Sequence, residues 1–198
     1  MISFNNLCKT KPYKVFKEKY ESALKLKQNS IEAIHIASYS KKLNVVDSRI
    51  VNLKMINEDG FIFFTNYKSP KAHQFKEHDQ IAATLFWDTI NTQIRMKGKI
   101  KKTSKKFNNQ YFLSRNTSKN AVAIFSNQSQ KISSYDKVIK KVDFSFQEGD
   151  KYKCPNHWGG FVFCPYSFEF WEGHKYRVNK RRLFEKINNK WIISILEP

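Results

Sequence analysis

No apolar run in this 198-residue chain approaches the roughly 20 residues that span a bilayer, so no transmembrane helix is expected. The opening stretch MISFNNLCKTKPYK lacks the continuous apolar core of a secretory signal, which makes a cytoplasmic protein the expectation. Cysteine is scarce: Cys8, Cys154 and Cys164 are odd in number and form no C-x-x-C, which argues against a disulfide framework and a zinc site. Also missing are G-x-G-x-x-G, the P-loop, G-x-S-x-G and H-E-x-x-H. The histidines His35, His73, His78, His157 and His174 have no metal-ligand spacing, so no metal is expected. His35, in the apolar IHIAS segment, reads as a core histidine with its hydrogen bonds satisfied. Acidic residues are few: 17 Asp and Glu stand against 36 Lys and Arg, a formal net charge of +19. An excess of that size raises nucleic-acid binding. The chain is equally rich in Asn, Ile and Phe, whose codons are A/T-rich, and drift in codon usage is the simpler source of most of the lysine. Nucleic acid is therefore not the expected partner, and the cations that matter are a small set at specific positions.

What is present suffices for a folded core. The length suits one domain over residues 1–198, and 40% hydrophobic with 15% aromatic residues is a globular composition. Pro12 at a first helical position, followed by Phe16, Tyr20, Ala23 and Leu24 on one stripe, predicts an amphipathic helix over 12–28. Strand-length segments follow: IEAIHIAS, SRIVNLKMI, GFIFFTN, IAATLFW and TQIRMKGKI, the last alternating Ile94, Met96 and Ile100 with Arg95, Lys97 and Lys99. The N-E-D-G turn at 57–60 allows only an antiparallel connection. Helices opened by serine are predicted at Ser69 to His78, Ser104 to Arg115 and Ser134 to about Phe146, the last ending near Gly149. After Trp158-Gly-Gly-Phe161 the strands FVFCP, SFEFWEG, RRLFEKI and WIISIL follow, with Asn188-Asn189 turning between the final two. With no repeats, long linkers or second-domain boundary, the pattern predicts a mainly β fold with peripheral helices, a barrel whose closure hides strand edges.

Arg, Lys, Gln, Ser and Thr at strand ends and helix starts are suited to holding phosphates and a polar aromatic ring. Tyr111 and Arg115 stand i,i+4, so a helix would bring phenol and guanidinium to one phosphate. Lys71 falls near a helix start, where free backbone N–H groups favour an anion. Taken alone, Lys71 reads as a solvated helix lysine and Trp171 as a core residue.

In order and spacing, a series of segments resembles the pyridoxamine 5′-phosphate oxidase family over about Pro12 to Pro198. They are Ser48-Arg-Ile-Val-Asn-Leu-Lys54, Phe64-Thr-Asn-Tyr-Lys-Ser-Pro-Lys-Ala-His-Gln74, Gln93, Tyr111-Phe-Leu-Ser-Arg115, Asn127-Gln-Ser129, Trp158-Gly-Gly-Phe161, Glu169-Phe-Trp171 and Arg177 to Arg181. The resemblance implies an FMN-binding split β-barrel and a homodimer with active sites built where the subunits meet. It puts Arg49, Lys71, Thr65 and Ser129 at the FMN phosphate, Ile50, Val51, Lys54 and Phe64 along the cofactor, and Gln93 and Gln128 near the flavin ring. Trp171 and Arg181 would come from the partner subunit. Lys54, Tyr111 and Arg115, with Ser118, would clamp the phosphate of a B6 vitamer, while Arg177 and Asn179 would act at its ring. The implied reaction is hydride transfer from C4′ of pyridoxamine or pyridoxine 5′-phosphate to FMN, with O2 then reduced to hydrogen peroxide. Some positions depart from the family: Pro70 replaces an Arg, Asn179 a His and Lys180 an acidic residue. Asn116 to Ala123, Lys119 among them, departs from the pattern carrying a serine contact, which is shifted to Ser118 or lost. Two other readings stay open: an FMN oxidase of another heterocycle, as in phenazine pathways, and a non-catalytic basic binding protein.

Overall fold

The computed structural model describes residues 1–147 and 153–198. Helix α1 (Lys11–Lys25) carries Pro12 in its first turn, where the fixed φ suits it, and buries Tyr13, Val15, Phe16, Tyr20 and Ala23. Leu24, expected on that stripe, is 40% exposed, because it sits about 100° around the helix from Ala23. Strands β1 (Ser3–Phe4), β2 (Ala33–Ser40), β3 (Val45–Asn52), β4 (Met55–Ile56), β5 (Phe61–Asn66), β6 (Gln80–Trp87), β7 (Thr92–Lys102), β8 (Trp158–Glu172), β9 (Lys180–Ile187) and β10 (Lys190–Leu196) form one sheet. Its path is β1-β4-β5-β8-β7-β6-β2-β3, with β9 on β8 and β10 on β9. Every ladder is antiparallel except β1 on β4.

Local chemistry sets the turns. Asn57 Oδ1 accepts the backbone N–H of Asp59 and Gly60 at 3.0 and 3.2 Å, an Asx turn that reverses the chain between β4 and β5. Gly60 takes φ 142°, and a Cβ there would stand 2.1 Å from the Phe163 carbonyl oxygen, so only glycine fits. Asn188 and Asn189 both adopt left-handed φ, 48° and 61°, as a two-residue hairpin between β9 and β10 requires.

Strand β8 joins the two halves of the sheet. FVFCP and SFEFWEG, expected as two strands, are one strand of 15 residues. Its first part pairs with β5, its last part with β9, and both with β7. The register slips opposite Lys97 and Gly98, where Tyr166 is skipped, and Pro165 is accommodated at this irregularity as prolines in central strands are.

Helices α2 (Pro70–Glu77), α3 (Lys105–Leu113) and, after α4 (Thr117–Phe125), α5 (Tyr135–Gln147) fall where the sequence placed three of them. Ser104 Oγ caps α3 by accepting the Phe107 N–H at 3.2 Å, and Ser134 Oγ accepts from Lys137 N at 3.4 Å. Ser69 makes no side-chain cap; its hydroxyl faces the Lys71 ammonium instead, at 3.4 Å. The α5 end expected near Gly149 lies outside the described residues. Helix α4 is additional, capped by Asn116 Oδ1 on the Ser118 N–H at 2.9 Å.

Rings from α1 and the sheet interlock in the core, Phe16 meeting Phe61 and Trp87 edge-on at 4.9 and 5.5 Å. His35, expected in the core, is exposed. Ile34 and Ile36 take the inward face of β2 at 1% exposure each, and period-2 alternation sends the residue between them outward. Among the described residues no helix is long and apolar enough to cross a membrane, and no ladder joins β3 to β5. A cavity opens between those two strands.

Candidate active site

This cavity holds about 530 Å³ and is lined by Arg49, Ile50, Val51, Lys54, Phe64, Thr65, Lys71, Tyr111, Arg115, Gln128 and Ser129, all singled out in the sequence. Strand β3 supplies the first three, β5 supplies Phe64 and Thr65, and α2 brings Lys71. Lys71 is only 8% exposed. Its ammonium donates to two neutral hydroxyls, Thr65 Oγ1 at 3.1 Å and Ser69 Oγ at 3.4 Å. Burial pushes its pKa below the ordinary lysine value, the neighbouring Arg49 pushes the same way, and Asp47 opposes them. The Arg49 guanidinium donates to Ser38 Oγ, to Gln74 Oε1 at 3.0 Å and to the Asp47 carboxylate. A dry ammonium on neutral partners beside a guanidinium is a site short of negative charge.

The opposite wall is aromatic. Phe64 and Tyr111 lie face to face, ring centroids 3.9 Å apart and planes within 3°, and Trp158 continues the stack at 5.0 Å from Phe64. Arg115 lies over the Trp158 ring at 4.4 Å. Helix α3 ends at Leu113, so the two residues expected on one helix face are not both helical; the Arg115 N–H bonds to Phe112 O at 3.2 Å in the turn that follows. Arg115 Nη2 donates to the Lys119 carbonyl at 3.3 Å, while Nη1 is buried with no hydrogen-bond partner. Burial lowers the Arg115 pKa and raises that of Tyr111, each partly offset by the other. The Gln128 amide oxygen accepts from Asn66 N at 3.3 Å, which fixes the segment carrying Ser129, itself at φ 66°. Pro70 also lines the cavity and brings no charge. Trp158 and Asn52 line it too; Trp158 stood in a recognised W-G-G-F segment, yet only the fold reveals that it supports Arg115.

The remaining residues are elsewhere in the chain. Gln93, Trp171 and Arg181 stand abreast on β7, β8 and β9, and none lines the main cavity. Arg181 is held by Glu169, whose Oε1 accepts from Nε at 2.9 Å and Nη2 at 2.8 Å, and Glu169 Oε2 takes Arg95 at 3.0 Å. Glu169 is 9% exposed. It had no role in the sequence reading, although its i,i+2 spacing from Trp171 places both on one face. Arg177 and Asn179 lie in the loop from β8 to β9. Arg177 has φ 61°, and Asn179 Oδ1 accepts the His174 N–H at 3.1 Å, bracing that loop. Ser118 is exposed and lines neither the main cavity nor its annex, an adjoining cavity that shares Lys54, Tyr111 and Arg115, whereas Lys119 lines the annex.

Residues 18–144 match the family model described as pyridoxamine 5′-phosphate oxidase, and residues 158–198 match the pyridoxine 5′-phosphate oxidase C-terminal dimerisation region. A pyridoxine/pyridoxamine 5′-phosphate oxidase of Aliarcobacter butzleri is 38% identical over 191 residues, covering 94% of this chain and 89% of that one. One from Hydrogenovibrio crunogenus is 34% identical over 193 residues, with 96% and 89% covered. Among solved structures, PhzG from Burkholderia lata, in complex with tetrahydrophenazine-1-carboxylic acid, superposes with a TM-score of 0.89 at 21% identity over 95% of this chain and 93% of its own. A pyridoxamine 5′-phosphate oxidase-related, FMN binding protein from Nostoc punctiforme gives 0.79 at 11% identity, with 96% and 99% covered. At such identities the two structures speak for the fold, and they bear out the split-barrel expectation.

Proposed function

Because the chain belongs to the pyridoxamine 5′-phosphate oxidase family, we propose that it is an FMN-dependent oxidase converting pyridoxamine or pyridoxine 5′-phosphate to pyridoxal 5′-phosphate. The observation that carries the reading is the pair of cation sets on one cavity: Lys71 with Arg49 on one side, Arg115 with Lys54 on the other. Two phosphates are thereby provided for, one on the cofactor and one on the substrate. The residues fit FMN, since Lys71 is a buried cation on neutral partners beside Arg49, and Arg115 Nη1, a buried donor without a partner, is left for the substrate.

Lys71, Arg49, Thr65 and Ser129 hold the cofactor phosphate, and Gln128 offers an amide to the polar edge of the ring. Bound FMN supplies a hydride acceptor that O2 regenerates, releasing hydrogen peroxide. Lys54, Tyr111 and Arg115 bind the substrate phosphate, a part that does not react, so their binding energy aligns C4′. The aromatic wall of Phe64, Tyr111 and Trp158 excludes water from that side.

Gln93, Trp171, Arg177, Asn179 and Arg181, which lie away from this cavity, complete the site of the second subunit in a homodimer. In support, β3 and β10 expose Val46 at 71%, Ile50 at 67% and Ile195 at 72%, and apolar strands this open are stable in water when a partner covers them. The test is a spectrum followed by an assay. The purified protein should be yellow, with about one FMN per subunit, and release peroxide from pyridoxamine 5′-phosphate far faster than from pyridoxamine. Equal rates on both amines, or none on either with FMN bound, would sink the reading, and the first result would favour an oxidase of an unphosphorylated heterocycle.

A further inference from the structure

A second cavity of about 490 Å³ adjoins the first and shares Lys54, Tyr111 and Arg115 with it; Lys119 stands on its rim. We propose that Lys119 is the third cation of the substrate-phosphate subsite and sets its preference for a phosphate monoester dianion. The inference rests on the proposed function above and deepens it.

Three observations place Lys119 there. Its carbonyl accepts from Arg115 Nη2 at 3.3 Å, so its backbone lies against the guanidinium whose Nη1 is buried without a partner. Asn116 caps α4 through Ser118 N, which fixes the first turn and holds Lys119 beside the annex. No carboxylate lines that cavity, in contrast to Arg49, which shares the main cavity with Asp47. Lys54, Arg115 and Lys119 therefore face one space with no countercharge, and a doubly charged phosphate gains from all three where a neutral hydroxymethyl group gains from none. Ser118, with a hydroxyl but no place on either cavity, does not complete the subsite.

The probe is 4-deoxypyridoxine 5′-phosphate, which lacks the oxidisable C4′ group, titrated calorimetrically into FMN-loaded protein beside its unphosphorylated form. Lys119 is exposed, so its replacement leaves the fold intact. At low salt Lys119→Ala should weaken binding about three- to tenfold and Lys119→Glu further, both effects shrinking at physiological ionic strength. Binding of unphosphorylated 4-deoxypyridoxine should not move. If both variants bind the phosphate ester like the wild type while Arg115→Ala loses it, the role of Lys119 is refuted and the subsite stands. Loss in Ser118→Ala but not in the Lys119 variants would also refute it. Unchanged binding in Arg115→Ala as well would bring down the subsite itself, and the proposed function with it.

Discussion

Replacing Lys71 by Met should weaken cofactor affinity with no matching loss of stability. The Lys71 ammonium is 8% exposed and among the described residues has the Thr65 and Ser69 hydroxyls as its hydrogen-bond partners. Removing a buried charge for an apolar chain of similar length recovers roughly 1–4 kcal/mol, against about 0.5–1.5 kcal/mol for each hydrogen bond forfeited. The two bonds together forfeit about 1–3 kcal/mol, so the two effects nearly cancel and the apoprotein should stay within about 2 kcal/mol of the wild type, with a small gain at the midpoint. FMN affinity should fall ten- to a hundredfold, since a charge-assisted contact to a phosphate contributes roughly 1.5–3 kcal/mol. The pH dependence has a definite sign. Burial lowers the folded pKa of Lys71 below 10.5, so between that lowered value and 10.5 the unfolded chain binds more protons than the folded one. Wild-type apoprotein therefore gains stability as pH rises through this window, and the gain should be missing from Lys71→Met. Thermal melts of both apoproteins across alkaline pH, with FMN titration by fluorescence quenching near neutrality, measure each quantity. Apoprotein destabilised by more than about 2 kcal/mol, together with an unchanged FMN Kd, would refute the reasoning.

Arg115→Ala should raise KM for pyridoxamine 5′-phosphate about ten- to a hundredfold while FMN stays bound, which steady-state kinetics with a flavin spectrum will show. Glu169→Gln leaves Arg95 and Arg181 without their carboxylate; because Arg95 is half-exposed the cost should be about 2 kcal/mol, a loss of roughly 4–8 °C in Tm by calorimetry. At the β9–β10 hairpin, Asn189→Gly should be neutral or stabilising and Asn189→Val should cost about 1–2 kcal/mol in urea denaturation, because a β-branched residue resists φ 61°.

Alternation carried most of the fold. Ile94, Met96 and Ile100, spaced by two along TQIRMKGKI, are all at or below 5% exposure, and the same rule, applied to IHIAS, already sends His35 outward from between two buried isoleucines. Other features depend on what lies across the sheet. The slip at Tyr166, which turns two expected strands into one, is set by β7 opposite, and neither segment contains it. Helix α4 hid in a stretch read as an interrupted motif, although Asn116 was a ready cap for Thr117 onward. In the site, residues that the chain itself brings close, Arg49 to Lys54 and Phe64 to Lys71, arrived together. The division of Gln93, Trp171 and Arg181 onto another face followed from strand register, which no local spacing encodes.

The excess of lysine shows why counting charge is a poor guide to function. Lys99 and Lys101 pair with Asp79 and Asp59 with their own side chains more than 60% exposed, and such pairs contribute little to stability or specificity. Their field extends only about a Debye length, near 8–10 Å at ordinary salt. A cation kept partly dry is another matter, because its lost hydration must be offset by a fixed partner. Arg181 has Glu169 and Arg49 has Asp47. Among the described residues no carboxylate lies in ion-pair range of Lys71 or Arg115. Those two line one cavity, and on the proposed function they are the places where an arriving phosphate would supply charge that the fold does not. The formal +19 can draw anions toward the surface, but on that reading it is dehydration at Lys71 and Arg115 that would select where a dianion stops.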